Sequence, residues 1–167
     1  LRDNSTGDSN SAFGEGVMIQ NTTGSNNTSV GRISMFSNTT GGLNTAIGYA
    51  ALYKNTTAGD NVAVGAYALE DATTAIRNTA VGTYALKDVT TGSENVGVGW
   101  YALQAQTTGA NNTAVGRSAG QSITGGSHST LVGYAAGSAI TTAAYNTFMG
   151  SYAGSGVTTG TNNVALG

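Results

Sequence analysis

Cysteine and proline are both absent from this 167-residue chain, and charged residues make up only 8% of it. Without cysteine the chain has no disulfide framework and no thiol chemistry. Without proline, every residue keeps the backbone N–H that a continuous ladder of strands requires. The charged fraction is far below the roughly 25% of ordinary domains. However, 39% of the residues are hydrophobic, which argues against a disordered chain.

The composition predicts neither nucleic acid nor a membrane as a partner. The net charge of −2 and the six lysines and arginines do not suit binding to nucleic-acid phosphates. No apolar run approaches the roughly 20 residues of a membrane span, and no signal peptide is visible. We therefore expect neither nucleic-acid binding nor membrane insertion by these residues.

An unbroken repeat takes the place of the missing residue types. Asparagines recur every 17 residues, Ser129 fills the one gap in their register, and a glycine stands four residues after each. Self-similarity at a fixed short period is typical of a solenoid or an array. The asparagines of the register are Asn10, Asn27, Asn44, Asn61, Asn78, Asn95, Asn112, Asn146 and Asn163.

The register makes the chain a single repeat array over residues 1–167. Nine full units cover residues 10–162, and partial units cover residues 1–9 and 163–167. We number the positions of each unit from 1 to 17, starting at the asparagine. Because the array starts and stops in the middle of a unit, we expect it to be a segment of a longer chain.

The 17-residue unit is too short for two helices and their turns, and a glycine in every unit also disfavours helix. The β-branched residues and the Asn and Gly corners indicate two short strands per coil, with corners that use the tolerance of Asn and Gly for positive φ. Like residues would then stack about 4.8 Å apart in parallel, in-register ladders. We predict an all-β parallel β-solenoid, or β-roll, forming a rod of roughly 45–50 Å.

Position 4 is apolar in every unit, as in Val64, Val81, Val98 and Val115. We expect these valines to be buried, so that an aspartate at Val81 would cost several kcal/mol. The glycine that follows, at position 5, is expected to occupy a conformation or a crowded contact that excludes a side chain.

The core pattern changes near residue 112. Position 9 is Met or Leu in the first six full units and glycine in the last three, where position 12 turns apolar. Leu103 thus gives way to Gly120 as Ile123 appears, which roughly conserves core volume. Both positions are therefore predicted to face inward.

Most charged residues meet an opposite charge at the same position of the next coil. Each exposed pair is worth only about 0–1 kcal/mol, but a slip of one coil would lose or invert the pairs, so they favour one register. The predicted contacts are Glu15–Arg32, Lys54–Asp71, Glu70–Lys87 and Asp60–Arg77–Glu94.

Catalysis is not predicted. The only histidine, His128, is expected to be a solvated corner residue, with no cysteine, second histidine or patterned carboxylate beside it. The acidic residues form no repeated row, and no phosphate-binding glycine signature occurs. We therefore predict no enzyme activity, catalytic residue, metal or cofactor.

Aromatic residues recur at positions 6 and 7. A stacked ladder that stabilises the sheet is one interpretation, and a ligand or subunit contact is the other, because exposed aromatic residues mark interaction surfaces. The candidate contact residues are Tyr67, Tyr84 and Tyr101 at position 7 and Trp100, Arg117 and Tyr134 at position 6. A third hypothesis is ice binding by the paired threonines of positions 13 and 14, although adjacent strand residues point to opposite faces and only one row could line a plane.

The strings NTAIGYAAL, NTAVGTYAL and NNTAVGRSAG resemble the N-[ST]-x-[VI]-G repeats of two related groups. One is the YadA-like head of trimeric autotransporter adhesins, whose unit is shorter; the other is the stalk of phage tail fibres and bacterial surface fibres. The resemblance implies a left-handed β-roll with three chains side by side, on a cell surface or a virion. It implies no catalytic residue.

These observations predict a structural role. A coil this small holds few apolar side chains, so subunits are expected to pack laterally. We expect an extracellular, cell-surface or virion fibre or adhesin segment whose partner is itself, in a homotrimer or a continuous fibre. The alternative is a module that binds carbohydrate or a host surface through the Tyr/Trp stripe, with surface glycans as partners; ice binding comes third.

Overall fold

The fold, seen in a computed structural model that describes residues 1–167, is a parallel β-solenoid without helices. Ten three-residue strands at positions 2–4 pair in chain order into one parallel sheet, in the predicted 17-residue register. The strands are β1 (Ser11–Phe13), β2 (Thr28–Val30), β3 (Thr45–Ile47), β4 (Val62–Val64), β5 (Thr79–Val81), β6 (Val96–Val98), β7 (Thr113–Val115), β8 (Thr130–Val132), β9 (Thr147–Met149) and β10 (Val164–Leu166). The predicted all-β solenoid is therefore confirmed.

Each coil contains one strand and not the two that were predicted. The remaining positions still bond from coil to coil: the N–H of Met35 donates to the carbonyl of Ala51 at 2.9 Å, and the N–H of Thr39 to that of Thr56 at 2.9 Å. They do not form strands because positions 7 and 9 are left-handed, as at Leu86 with φ of 50°. Left-handed residues interrupt the extended backbone that a strand requires.

The interior is lined by positions 1, 3, 8, 9, 12 and 15. Leu86 and Leu103 at position 9 are fully buried, and so are Ile123 and Ile140 at position 12. The prediction that positions 9 and 12 face inward is therefore confirmed. Position 8 contributes mainly alanine, which allows the opposite sides of the narrow coil to approach each other.

The valines of position 4 are not buried, contrary to expectation. Val81 and Val115 are 37% and 38% exposed, and Val64 and Val98 are partly exposed. Successive strand residues point to opposite faces, and the inward residue is position 3, for example Ala80. Within the strand, the predicted inward residue was therefore wrong by one position, and an aspartate at Val81 would lie at the surface.

Position 5 has the constrained conformation that was predicted for its glycines. The φ of Gly82 is +135°, a region that side chains disfavour, and a Cβ there would lie 2.6 Å from the carbonyl oxygen of Gly99. The same values recur within a few tenths of an ångström at Gly65, Gly99 and Gly116. Both the backbone angle and the close approach of the next coil therefore exclude a side chain.

The asparagines of position 1 form a buried ladder. Oδ1 of Asn27 accepts hydrogen bonds from the backbone N–H (3.0 Å) and from Nδ2 (3.1 Å) of Asn44, whose Nδ2 also donates to the carbonyl of Ala58. In the gap, Oγ of Ser129 accepts the N–H of Asn146 at 3.2 Å. These asparagines therefore act through their side chains, and it is position 17 before them that has the positive φ.

The predicted charge pairs form with one exception. Arg77 contacts Glu94 at 3.0 Å but forms no ion pair with Asp60, and Lys87 contacts Asp88 as well as Glu70. The hydrogen bond from Lys54 to Asp71, and the charge of that carboxylate, raise the pKa of Lys54. The confirmed contacts are Glu15–Arg32 at 3.3 Å, Lys54–Asp71 at 2.8 Å, Glu70–Lys87 at 3.3 Å and Arg77–Glu94 at 3.0 Å.

Candidate functional site

Position 7 places three tyrosines in a stack on the outside of the coils. The ring centroids of Tyr67 and Tyr84 are 5.2 Å apart and those of Tyr84 and Tyr101 5.1 Å, with the planes within 9° of parallel. All three residues are left-handed, with φ of 59° to 61°, a conformation that costs a side-chain-bearing residue about 1–2 kcal/mol. Ring stacking, worth about 0.5–1.5 kcal/mol a pair, offsets part of this cost.

A second group, at position 6, contains a cation between two rings. The guanidinium carbon of Arg117 lies 4.5 Å from the ring centroid of Trp100 and 5.5 Å from that of Tyr134. The residues Trp100 and Tyr134 are 41% and 40% exposed. We call Trp100, Arg117 and Tyr134 the aromatic–cation cluster. Its contacts are those of cation–π pairs, worth about 0.5–1 kcal/mol each at exposed sites.

The tyrosine stack and the aromatic–cation cluster are continuous. The rings of Trp100 and Tyr101 are 4.4 Å apart, so position 7 of one coil meets position 6 of the same coil. All six residues predicted as possible contacts are thereby joined in one run of ring contacts along the rod. The structure shows this arrangement, and contact with a ligand or a subunit stays a prediction.

Two further tyrosines extend the run. Tyr49 meets Tyr67 edge-on at 5.1 Å, and Tyr152 meets Tyr134 edge-on at 5.0 Å. A hydrogen bond with Tyr134 raises the pKa of Tyr152, while desolvation followed by the charge of Tyr49 raises that of Tyr67. The sequence signal was available, because each pair lies at positions 6 and 7 of successive coils.

The outward residues of the ten strands form a second surface, which we call the strand face. It consists of positions 2 and 4 of every unit and contains no charged residue. Its position-2 residues are mainly threonine, and its position-4 residues are all apolar. The apolar residues that are most exposed on it are Phe13, Ile47, Val62, Val81, Val115, Met149, Val164 and Leu166.

The sequence analysis did not find this face, because it assigned position 4 to the core. A usable signal lay in position 3, which is alanine in five of the nine full units and suits a narrow interior better than valine. The small size of the side chain at position 3, and not the apolarity of position 4, indicates which of the two positions faces inward. A buried alanine and an exposed valine are both compatible with a thin solenoid packed on one side.

The threonines of positions 13 and 14 have different environments. At position 13 every hydroxyl from Thr22 to Thr141 donates to the backbone carbonyl of the threonine in the next coil, as from Thr39 to Thr56 at 2.9 Å. At position 14 the side chains of Thr57, Thr74 and Thr91 are exposed. The hydroxyl protons of position 13 are therefore used within the solenoid, and only position 14 presents an open row.

The remaining surface contains the single histidine and no cluster of metal-binding side chains. His128 is exposed at a left-handed corner, as predicted, and stacks on Tyr145 at 4.9 Å. No group of three or more His, Cys, Asp or Glu side chains is close enough to hold a metal ion, and no pocket opens on the surface. The chain forms no helix of the length and apolarity needed to cross a membrane.

Comparison of this chain with family models, with curated proteins and with solved structures found no match. The strand face and the aromatic–cation cluster are the two surfaces of the solenoid that are suited to contact with a partner.

Proposed function

We propose that this chain is a structural fibre or adhesin segment, a rod that packs side by side with two further copies of itself outside the cell or on a virion. The observation that carries the proposal is the strand face, whose exposed or partly exposed apolar residues run from Phe13 to Leu166 along all ten strands. Contiguous exposed apolar surfaces of this kind mark contact sites on proteins. A left-handed homotrimer is the arrangement that the repeat resemblance favours.

The thin interior supports lateral packing. Apart from position 9, or positions 3 and 12 in the last coils, the inward residues are mostly alanine and asparagine. Small cores of this kind gain stability from association. Each square ångström of apolar surface that is removed from water contributes about 25 cal/mol.

The distribution of charge also supports the strand face as the contact surface. The ion pairs of Arg32, Lys54 and Arg77 lie at positions 6, 11 and 17, outside the strand face. Covering positions 2 and 4 therefore buries no side-chain charge, which would be costly. Rods joined in this way would keep their charged ladders in water.

Analytical ultracentrifugation of the chain at micromolar concentration tests this proposal. We expect a trimer for the wild type and a folded monomer for Val81→Lys/Val115→Lys, because these lysines would place charges in the contact surface. Thr74→Lys/Thr91→Lys is the matched control at position 14 and should remain trimeric. A stable, monodisperse wild-type monomer would contradict the proposal, and so would assembly of the strand-face variant.

A second candidate function is a module that binds carbohydrate or a host surface, and the exposed aromatic–cation cluster favours it. A glycan array probed with the isolated chain tests it. The response should be lost on Trp100→Ala and Tyr101→Ala if the stripe is the binding surface. Ice binding ranks third, since position 13 uses its hydroxyl protons internally, and a thermal-hysteresis measurement tests it.

A further inference from the structure

Arg117 differs from every other basic residue of the chain in having no carboxylate partner. The other five form ion pairs within the solenoid. From Asn95 to the C-terminus, Arg117 is the only Asp, Glu, Lys or Arg. Its side chain also donates no hydrogen bond. Its fork of N–H donors is therefore free to bind a ligand.

Arg32 provides an internal comparison, because it occupies the same position 6 of its coil. Its guanidinium lies 5.7 Å from the ring of Tyr49 and also pairs with Glu15 of the preceding coil at 3.3 Å. In the coil before Arg117 the equivalent residue is Trp100. An arginine at this position can therefore pair with a carboxylate while it lies beside an aromatic ring. Arg117 has the aromatic ring beside it but no carboxylate from the chain.

The rings hold the guanidinium of Arg117 in place. Its carbon lies 4.5 Å from the Trp100 centroid and 5.5 Å from the Tyr134 centroid, on coils before and after its own. A planar cation that rests on rings loses less conformational freedom when its N–H groups bind an acceptor. Bidentate binding of a carboxylate is the interaction that this fork geometry favours.

The exposed rings add a second element of recognition. Trp100 and Tyr134 each leave about two fifths of their surface open, and Tyr152 adds a further exposed ring beside Tyr134. Because Arg117 lies over one face of each ring, the parts of the rings that stay open are what can contact the C–H groups of a sugar. A single arginine next to two rings therefore fits a sugar with one carboxylate better than a highly sulfated polymer, which requires several cations.

We propose that Trp100, Arg117 and Tyr134 bind an acidic saccharide, with Arg117 pairing with the carboxylate and the two rings contacting the sugar. The proposal rests on the second candidate function, a carbohydrate-binding module, and names the class of ligand for it. It requires no lateral assembly, because all three residues lie on three successive coils of one chain.

Trp100 is the only tryptophan, so its fluorescence reports directly on the cluster, and ligand-observed NMR provides an independent measurement. The carboxylated probes are tetragalacturonate and 3′-sialyllactose, and their neutral counterparts are the tetragalacturonate methyl ester and lactose. We expect at least one carboxylated probe to bind. Its affinity should exceed that of its neutral counterpart about tenfold or more, as for a hydrogen bond to a charged group.

Arg117→Gln should weaken binding of that probe by a similar factor of about tenfold, and Tyr134→Leu should weaken it as well. Arg32→Gln, the matched control with an already paired arginine, should leave the affinity unchanged. Circular dichroism spectra of the three variants would show that each retains the fold.

The failures of the two ideas are distinguishable. Binding of neutral sugars as tightly as acidic ones, through Trp100, would overturn the acidic ligand and support the carbohydrate-binding module. Equal affinity for a sulfated lactose, or binding that survives Arg117→Gln, would overturn the carboxylate contact. No binding of any probe at millimolar concentration would overturn both.

Discussion

The first six full coils, residues 10–111, and the last three, residues 112–162, fill the same interior with different residues. In the earlier coils a long side chain at position 9, such as Leu86, packs against a small residue at position 3 of the next coil, such as Gly97, where a Cβ would lie 3.1 Å from Cγ of Leu86. In the later coils position 9 is glycine, and Leu131 or Phe148 at position 3 is fully buried. The backbone register is the same in both.

In the later coils, other side chains fill the space beside the position-9 glycines. A Cβ at Gly120 would lie 2.7 Å from Cδ1 of Leu131 and 3.1 Å from Cδ1 of Ile123, and a Cβ at Gly154 would meet the ring of Phe148. Residues from positions 3 and 12 thus occupy the space that leucine fills elsewhere. A coil therefore conserves total interior volume rather than the residue at any one position.

Polar residues differ between the two regions as well. In the earlier coils a second asparagine ladder at position 12 links Asn21, Asn38 and Asn55 through 2.7 Å side-chain hydrogen bonds. It ends where Ala72 takes the position, which leaves Oδ1 of Asn55 buried without a partner. Buried unpaired acceptors are costly, and the later coils avoid this cost by using isoleucine.

The largest expected effect concerns a feature that both regions share. Gly82→Val in an earlier coil and Gly116→Val in a later one should each destabilise by about 3 kcal/mol or more, because each combines a disfavoured φ with a clash against the next coil. Gly125→Val is the control, since a Cβ there would meet only Oγ1 of Thr108, at 3.7 Å. Chemical denaturation measures all three. Equal losses at Gly116 and Gly125 would contradict the argument.

The exchange of core volume can be tested at a later coil. Leu131→Ala alone should cost about 2–5 kcal/mol through the cavity, and Gly120→Leu alone about 1–3 kcal/mol through overpacking. Together they place a leucine at position 9 and an alanine at position 3 of the next coil, the combination of Leu69 and Ala80, so the double variant should be more stable than the sum of the two losses predicts. A double-mutant cycle measures the coupling. Strictly additive losses would mean that the two positions share no volume.

The polar ladder provides a smaller effect and a matched pair. Asn38→Ala removes the middle residue of the position-12 ladder, so Oδ1 of Asn21 loses its donor and joins Oδ1 of Asn55 as a second buried unpaired acceptor. Asn55→Ala leaves only one unpaired acceptor, Oδ1 of Asn38, in place of Oδ1 of Asn55. Asn38→Ala should therefore cost about 1–3 kcal/mol more. Thermal unfolding compares the two variants. A larger loss for Asn55→Ala would contradict this account of the ladder.

The smallest effect comes from charge, which only the earlier coils have in quantity. The pKa of Lys54 is raised in the folded state by Asp71. The stabilisation that the Lys54–Asp71 ion pair gives to the fold is therefore fully present below the ordinary pKa of lysine, and it is lost as pH rises through the raised pKa. The exposed pair is worth at most about 1 kcal/mol. The difference in stability between wild type and Lys54→Gln should shrink from about pH 8 to about pH 12. A difference that is constant across this range would contradict the assignment.

Much of the fold could be predicted from particular residues. The spacing of Asn and Gly predicted the coil and its register, and the exchange of Leu103 for Ile123 identified two inward positions. The stacked tyrosines followed from the same register, as did the ion pair of Lys54 with Asp71. These features depend only on which residues lie 17 positions apart.

Other features could not be predicted, because they depend on geometry within a coil. Whether Ala80 or Val81 points inward is decided by the width of the interior, and apolarity alone favoured the wrong residue. Arg77 has two acidic neighbours, Asp60 in the coil before it and Glu94 in the coil after it. Its side chain pairs with Glu94, so Asp60 forms no ion pair with it. The meeting of Trp100 with Tyr101 depends on the left-handed backbone at position 7.

The sequence by itself determined the repeat, the parallel stacking and the register, because a fixed period brings identical residues together whatever path the chain takes between them. Only the tertiary structure decided which way each side chain points within a coil. That choice rests on the balance between left-handed turns, the contact of Gly99 with Gly82 and the volume of the interior. These are properties of a closed coil and not of any residue within it.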